Sequence, residues 1–383
     1  MQRFSFNNPG RMVFGENSAK KRAGKELASL GSSRAMLVTD RALSSSDMVS
    51  TVKESLGENL AGVFNRVVPD TGIEVVDEAV SAARGAGADS VVSVGGGSSI
   101  DTAKAVAAMI SHEGDSVREY IGFNKLVSNP APHLAVPTTA GTGSECTSMA
   151  MIKDRDKGKK LVLLDDKLIP DIALLDPVLT TGLPGELTAS TGMDAMTHAA
   201  EALMSSRSMP PADALALHAI RMITDNLPRA LQDGSDLEAR SAMLMASSLA
   251  GQAFQNAYVG IVHAMAHALG GMFGVPHGLA NAVMLAAGME YNSTAAPEKV
   301  ARIGEAMGVN QTGDKKKDAR SAVEAVLDFT TGLGIPLKLT DAGVEASKIE
   351  DCAALALSDP SIYTNPQMPQ EAHEIAELLK KCL

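Results

Sequence analysis

The sequence predicts an α/β fold in its first half and an all-helical fold in its second. Short β-branched runs alternate with helical patterns up to about residue 180. Beyond Leu183-Pro184-Gly185 such runs become scarce, and Ala, Leu and Met dominate. The chain has 383 residues, which at roughly 100–200 residues per domain suits about two. The change of texture, with its Pro and Gly, sets the expected domains at 1–183 and 184–383.

The elements follow in order. Ala35-Met36-Leu37-Val38-Thr39 reads as a strand ending at Asp40. Gly62-Val63-Phe64 begins another, which runs towards Val67-Val68 and stops at Pro69. Val75, Val76, Ala79, Val80 and Ala83 form one stripe of a helix that ends near Gly85. Ser90 to Val94 is a β-rich run that stops at three glycines, and Ile100 to Ile110 is helical. His133 to Val136 is a further short strand. Strands alternating with helices imply parallel pairing and right-handed crossovers. In the second half, helical patterns cover about Leu187–Leu203, Ala212–Leu231, Leu237–Asn256, Gly260–Met272, Glu298–Met307, Ala319–Leu333 and Pro369–Cys382. Lys315-Lys316-Lys317 is expected to be a solvated loop.

Charge and composition exclude several partners. With 34 basic and 45 acidic residues the net charge is −11, which disfavours nucleic acid and anionic membrane surfaces. Aromatics are 3% and Trp is absent, so a base-stacking surface is not expected. No apolar run of membrane-spanning length occurs. The first eight residues carry Phe4 and Phe6 but no export-type apolar segment. Cys146, Cys352 and Cys382 are few and far apart, which suits a reducing compartment. A cytoplasmic protein acting on small molecules is the expectation.

Two loops suit a phosphate. Val94-Gly95-Gly96-Gly97-Ser98-Ser99-Ile100-Asp101 joins a strand to a helix. Glycines there let backbone N–H groups approach an anion, at the positive end of the helix dipole. Asp101 is expected in the first turn as a cap. Pro137-Thr138-Thr139-Ala140-Gly141-Thr142-Gly143-Ser144-Glu145 also follows a strand, and its hydroxyls suit a pyrophosphate or ribose. Open α/β sheets bind ligands at the carboxyl ends of their strands, so the first half reads as Rossmann-like. Asp40, ending its strand, would accept from the adenosine ribose hydroxyls and repel a 2′-phosphate; the alternative is a simple helix cap.

The second half carries the titratable cluster. His263, His267 and His277 fall within fifteen residues, and Asp194 precedes His198 by four. Asp194/His198 and His263/His267 each share one helix face among Ala, Met and Leu. Burying such groups unpartnered would cost several kcal/mol, roughly, and a divalent cation removes that cost. Nitrogen and carboxylate donors without thiolate suit Fe²⁺, Zn²⁺, Mn²⁺ or Co²⁺.

These residues resemble the iron-containing (group III) alcohol dehydrogenases, which include lactaldehyde reductases and 1,3-propanediol dehydrogenases. The resemblance runs from Phe14-Gly15 through both loops, Thr191-Gly192-Met193-Asp194-Ala195-Met196-Thr197-His198, Gly260-x-x-His263-Ala264-x-Ala266-His267 and Pro276-His277-Gly278 to Thr364-Asn365-Pro366. It implies a dehydroquinate synthase-like fold, an α/β dinucleotide-binding domain followed by a helical domain. It implies Asp194, His198, His263 and His277 as ligands of Fe²⁺, with Zn²⁺ as the alternative, and His267 facing the nicotinamide. It implies Gly96, Gly97, Ser98, Thr138, Thr139, Thr142, Lys160 and Leu179 as dinucleotide contacts, with Asp40 matching members that prefer NAD(H). From their place among the motifs, Met149, Phe254, Ile362 and Tyr363 are expected to line the substrate pocket. Many relatives read Pro-Asn-Pro-Thr where this chain reads Pro69-Asp70-Thr71-Gly72, so an Asn contact is not transferred to Asp70.

The expected activity is reversible hydride transfer between NAD(H) and a small alcohol or aldehyde, in a homodimer or larger homo-oligomer. Two other readings stay open. A dehydroquinate synthase-type lyase or cyclase would need basic residues for an anionic substrate, and Arg207, Arg221 and Arg302 are distant in sequence from the histidines. A non-catalytic nucleotide or metal binder would bind cofactor without turnover.

Overall fold

The computed structural model describes residues 3–8, 10–155 and 159–383. Contacts divide the chain into two units, Asn7–Gly182 and Leu183–Leu383, the latter including the described residues of 1–6. The first unit contains β1 (Arg11–Phe14), α1 (Ser18–Ser29), β2 (Ala35–Asp40), α2 (Asp47–Leu56), β3 (Leu60–Val67), α3 (Ile73–Gly85), β4 (Ser90–Gly95), α4 (Gly97–Ile110), β5 (Gly122–Phe123), β6 (His133–Pro137), β7 (Met149–Asp154), β8 (Lys159–Leu164) and β9 (Ile172–Leu175).

Among the described residues, six strands form one parallel sheet in the order β1-β9-β6-β4-β2-β3. Alternation along each strand feeds two cores. Leu37 and Val92 pack with Ala23 and Leu27 of α1 and with Val49 and Val52 of α2. Met36, Val38 and Val91 pack with Val76 and Val80 of α3 and with Val106 and Met109 of α4. Strand β2 therefore has β3 on one side and β4 on the other. The chain reverses its direction of travel across the sheet there, which is where doubly wound sheets open a crevice. A smaller sheet pairs β5 parallel and β7 antiparallel with β8.

The second unit is helical: α5 (Gly185–Met204), α6 (Pro210–Gln232), α7 (Leu237–Ala257), α8 (Ile261–Phe273), α9 (His277–Asn292), α10 (Pro297–Ala306), α11 (Lys315–Gly332), α12 (Ile349–Leu357) and α13 (Ala372–Lys380). Helix α5 packs on α6, α7 and α9, and α8 packs on α9 and α12. None of the helices among the described residues is long and apolar enough to cross a membrane.

Several expectations change. The Lys315-Lys316-Lys317 run is exposed but helical: Asp314 caps α11 by accepting from the N–H groups of Lys316 and Lys317 at 3.0 and 3.2 Å. Helix α4 starts at Gly97, three residues before the apolar pattern, so Asp101 lies beyond the first turn and is not a cap. The pattern does not predict strands β1, β5, β7, β8 and β9 or helices α1, α2, α9 and α12. The strands are short or charged, and α9 is apolar nearly all round, so neither leaves a clear stripe.

His133 sits in the sheet core at 3% exposure, its Nε2 2.8 Å from Ser93 Oγ. Burial, reinforced by Lys104, pushes its pKa down to about 3. Its folded pKa lies below the unfolded value of about 6.5. Its stabilising contribution is therefore complete above that value and is lost as pH falls from there towards 3. Melting curves between pH 7 and 4 should fall more steeply for the wild type than for His133→Asn. Equal slopes would show that His133 does not titrate in this way.

Candidate functional site

Three neighbouring strands of the first unit, β2, β4 and β6, run parallel and end together. Gly95 pairs with Pro137 in register, so the two phosphate-type loops leave the sheet side by side. The Thr138 N–H donates to the Gly95 carbonyl at 3.0 Å. Thr139 leans over Gly96, and a Cβ on Gly97 would meet Thr142 Cγ2 at 2.9 Å. The glycines thus admit the second loop. Ser98 lies in the first turn of α4, where the backbone N–H groups are unpaired within the helix. Asp40 accepts from the Leu43 N–H at 2.8 Å through Oδ1. Its Oδ2 lies 3.8 Å from where a Gly95 Cβ would stand. The carboxylate caps a turn and also faces the glycine loop.

Two further expected contacts belong to the same unit. Lys160, on β8, pairs with Asp70 at 2.7 Å. Leu179 is 5% exposed and belongs to the core beneath α1 and α2. Its apolar packing explains the residue type without a ligand.

In the second unit, one ligand atom from each of Asp194, His198, His263 and His277 lies within 4.8 Å of all the others. Asp194 and His198 come from adjacent turns of α5, His263 from α8 and His277 from the first turn of α9. A Cβ on Gly278 would strike the Ser190 carbonyl oxygen at 2.4 Å, so glycine lets α9 approach α5 closely enough to bring His277 in. Three of the four residues are buried. Burial raises the Asp194 carboxyl, but His198 and His277, with the Asn281 hydrogen bond, outweigh it and hold the group below its ordinary range. Burial, then His198, keeps His263 well below the usual imidazole value and so neutral, the form that ligates metal.

A divalent cation fits this set by two observations. The Asn281 Nδ2 donates to Asp194 Oδ1 at 2.7 Å and lies 3.3 and 3.2 Å from Nε2 of His263 and His277. Three acceptors therefore converge on one electropositive point. Among the described residues, the buried His198 Nδ1 and Asn281 Oδ1 have no hydrogen-bond partner. One carboxylate and three imidazoles suit a borderline cation rather than Mg²⁺ or Ca²⁺.

Four supporting residues escaped the spacing argument. Glu201, one turn beyond His198 on α5, lies 2.5 Å from His263 Nδ1 and accepts from the Val262 N–H at 2.7 Å. Burial pushes its carboxyl up to about 7, against the backbone N–H groups of Gly260, Val262 and His263. It directs Nε2 of His263 at the ligand set. Asn281 repeats the i,i+4 spacing from His277, the one signal that pointed to it. His267 lies outside the four; its Nδ1–H donates to Asp359 Oδ2 at 2.8 Å, and its ring stacks 5.3 Å from His277. Asp359 and Asn365 are remote in sequence and had no periodic signal. Asn365 accepts from the Ile261 N–H at 3.2 Å, and Thr364 donates to the Val259 carbonyl. Together they hold the turn where Tyr258 takes φ 64°. The Thr364-Asn365-Pro366 motif is thus a brace for the start of α8.

The expected pocket residues belong to both units. Phe254 stacks on His198 with ring centroids 4.2 Å apart and lies against the ligand set. Ile362 is buried, whereas Tyr363 is 72% exposed, both on the turn that Asp359 begins. Met149 begins β7 in the first unit, its carbonyl accepting from Lys104.

Comparison with known proteins agrees with this donor set. Residues 9–177 match the family described as iron-containing alcohol dehydrogenase, and residues 188–383 match its C-terminal part. The chain belongs to the iron-containing alcohol dehydrogenase family. It is 39% identical to the 1,3-propanediol dehydrogenase of Klebsiella pneumoniae over 384 residues, covering 99% of this chain and 98% of that one. It is 35% identical to the NAD-dependent methanol dehydrogenase of Bacillus methanolicus, covering 99% and 100%. A crystal structure of a 1,3-propanediol oxidoreductase superposes with a TM-score of 0.96 at 38% identity, with full coverage of both chains. As a member of this family the chain is a metal-dependent, NAD-linked alcohol oxidoreductase.

Removing the charge that orients His263 tests the centre. Glu201→Gln should weaken metal retention by about 10–100-fold. Metal content after dialysis against graded chelator checks this; unchanged retention would show that Glu201 does not support the ligand.

Proposed function

We propose that the four converging side chains hold the catalytic divalent cation, Fe²⁺ first and Zn²⁺ second, and that the first unit holds NAD(H). The substrate is a small neutral alcohol or diol, or the matching aldehyde. The carrying observation is the convergence of Asp194, His198, His263 and His277 within 4.8 Å in an apolar setting. When bound, the cation supplies Lewis-acid polarisation of the substrate oxygen, and the nicotinamide exchanges hydride with the adjacent carbon.

The chain's own residues do the rest. Glu201 and Asn281 orient the ligand atoms, and Phe254 shields His198 from water. His267 donates through Nδ1 to Asp359, which leaves Nε2 as the proton acceptor. In that tautomer it suits relay of the alcohol proton towards solvent. The backbone N–H groups opening α4, with Ser98, Thr138, Thr139 and Thr142, suit the pyrophosphate. Asp40 suits the ribose hydroxyls of NAD. Lys160, paired with Asp70, is assigned to the dinucleotide by family resemblance. The protein would act as a homo-oligomer in the cytoplasm.

Two experiments test this reading. His267→Phe should keep its metal and lose about 10²–10⁴-fold in turnover, the range of general acid–base catalysis. Metal analysis beside steady-state kinetics checks it, and loss of metal would make His267 a ligand instead. Asp40→Asn keeps an oxygen for the Leu43 N–H and removes the charge. A like charge within a few ångströms of a 2′-phosphate costs on the order of 1–4 kcal/mol. The wild type should therefore prefer NAD over NADP in kcat/KM by roughly one to three decades, and the variant should lose most of that preference. A wild type indifferent to the two cofactors would overturn the role given to Asp40.

A further inference from the structure

Tyr258 closes α7 in a backbone conformation that residues with a side chain avoid. Its φ of 64° comes with a ψ of −179°. That region is essentially reserved for glycine. Among the described residues, the other non-glycine positions of positive φ are Asn17, Asp70 and Asn124, types that accept the left-handed region readily. A tyrosine stays there only where its surroundings over-determine the turn. The place of the turn matters. Phe254, one turn earlier on α7, stacks on His198 with ring centroids 4.2 Å apart. Helix α8 starts just after, at Ile261, and delivers His263. The turn at Tyr258 therefore fixes the angle at which α8 leaves α7, and with it the place of His263 against His198.

Remote side chains pin the peptide groups on either side of Tyr258. The Ala257 carbonyl accepts from the hydroxyl of Ser205, the residue that closes α5. The Val259 carbonyl accepts from the Thr364 hydroxyl and is the nearer of its two acceptors. The Tyr258 N–H stays within α7, donating to the Phe254 carbonyl at 2.7 Å. The Arg207 guanidinium lies over the Tyr258 ring, 5.5 Å from its centroid. The two pinning segments are themselves joined, since the Ser206 N–H donates to the Thr364 carbonyl at 2.9 Å. The strained residue is thus held by its flanking carbonyls and by its ring.

We propose that Ser205 and Thr364 are positioning residues for the metal centre. Their hydroxyls hold Tyr258 in its strained turn, and the turn keeps His263 within reach of Asp194 and His198. Without them the chain relaxes to negative φ, and α8 leaves α7 in another direction. This rests on the reading that the four converging side chains hold the cation. Glycine takes the same turn without steric cost, so glycine at 258 makes the two hydroxyls dispensable. A purely structural role for the hydroxyls carries no such dependence on residue 258.

The test is metal retention by the Zn²⁺-loaded full chain, dialysed against graded chelator, beside melting curves. Thr364→Val should weaken retention by about tenfold, the worth of one buried hydrogen bond. Thr364→Ser keeps the hydroxyl and should retain metal as the wild type does. Tyr258→Gly should also retain its metal, and the double variant Tyr258→Gly/Thr364→Val should stay within about twofold of it. Ser205→Ala, alone and with Tyr258→Gly, follows the same course and serves if Thr364→Val does not fold. A double variant as far below Tyr258→Gly as Thr364→Val is below the wild type would overturn the proposal, because the hydroxyl would then act independently of the strained turn. Full retention by both Thr364→Val and Ser205→Ala would overturn it too, as would a loss in Tyr258→Gly alone larger than that in Thr364→Val. A wild type that holds no Zn²⁺ would instead overturn the assignment of the four ligands.

Discussion

The second unit depends on one constraint: a carboxylate and three imidazoles cannot be buried together without a partner for their lone pairs. Desolvation penalises each group, and Ala, Met and Leu of the surrounding helices offer nothing in return. The packing resolves this by convergence. Helix α5 supplies Asp194 and His198, α8 supplies His263, and α9 supplies His277 across a contact that only glycine at 278 permits. The same helices bring a second ring of partners. Glu201 backs His263, Asp359 backs His267, and Asn281 bonds to Asp194 from within the set. Geometry at such a centre is set as much by these supports as by the ligands.

The first unit meets a related constraint with protein atoms alone. The Lys104 ammonium, fully buried, has three oxygen acceptors and a nearby carboxylate. Unpaired, it would be among the most expensive groups in the sheet core. The pairing turns that cost into a tie between α4, the turn at Ser144 and the start of β7. The two units thus meet buried charge differently, one by gathering donors that suit a cation and the other by pairing within the protein.

Much of the site was legible because its signals are local. Asp194/His198 and His263/His267 announce themselves by i,i+4 spacing, and the glycine and threonine loops by following strands. The supports were not legible for the opposite reason. Glu201 continues the spacing of α5 but looks like an ordinary helix-surface acid. Asp359 lies 92 residues from His267, and Asn365 lies 104 from Ile261. Asp101 falls outside the expected cap for a similar reason: the apolar pattern begins at Ile100, but the helix begins at Gly97, where no side chain marks the turn. Leu179 and Tyr363 differ in setting, the first held in the core by packing and the second turned to solvent.

Periodicity, loop chemistry and residue type were therefore enough to place an α/β half before a helical half and, with the family resemblance, to single out the four side chains that converge. They reflect short-range physics: the alternation of a strand, the turn of a helix, the cost of an unpaired imidazole. Strand order was a matter of long-range packing. It put β2 between β3 and β4 and so set Asp40 beside the glycine loop. So was the choice of hydrogen-bond partner for each buried polar group. Spacing leaves those partners open, because they join residues that approach one another only after the sheet and helices have packed.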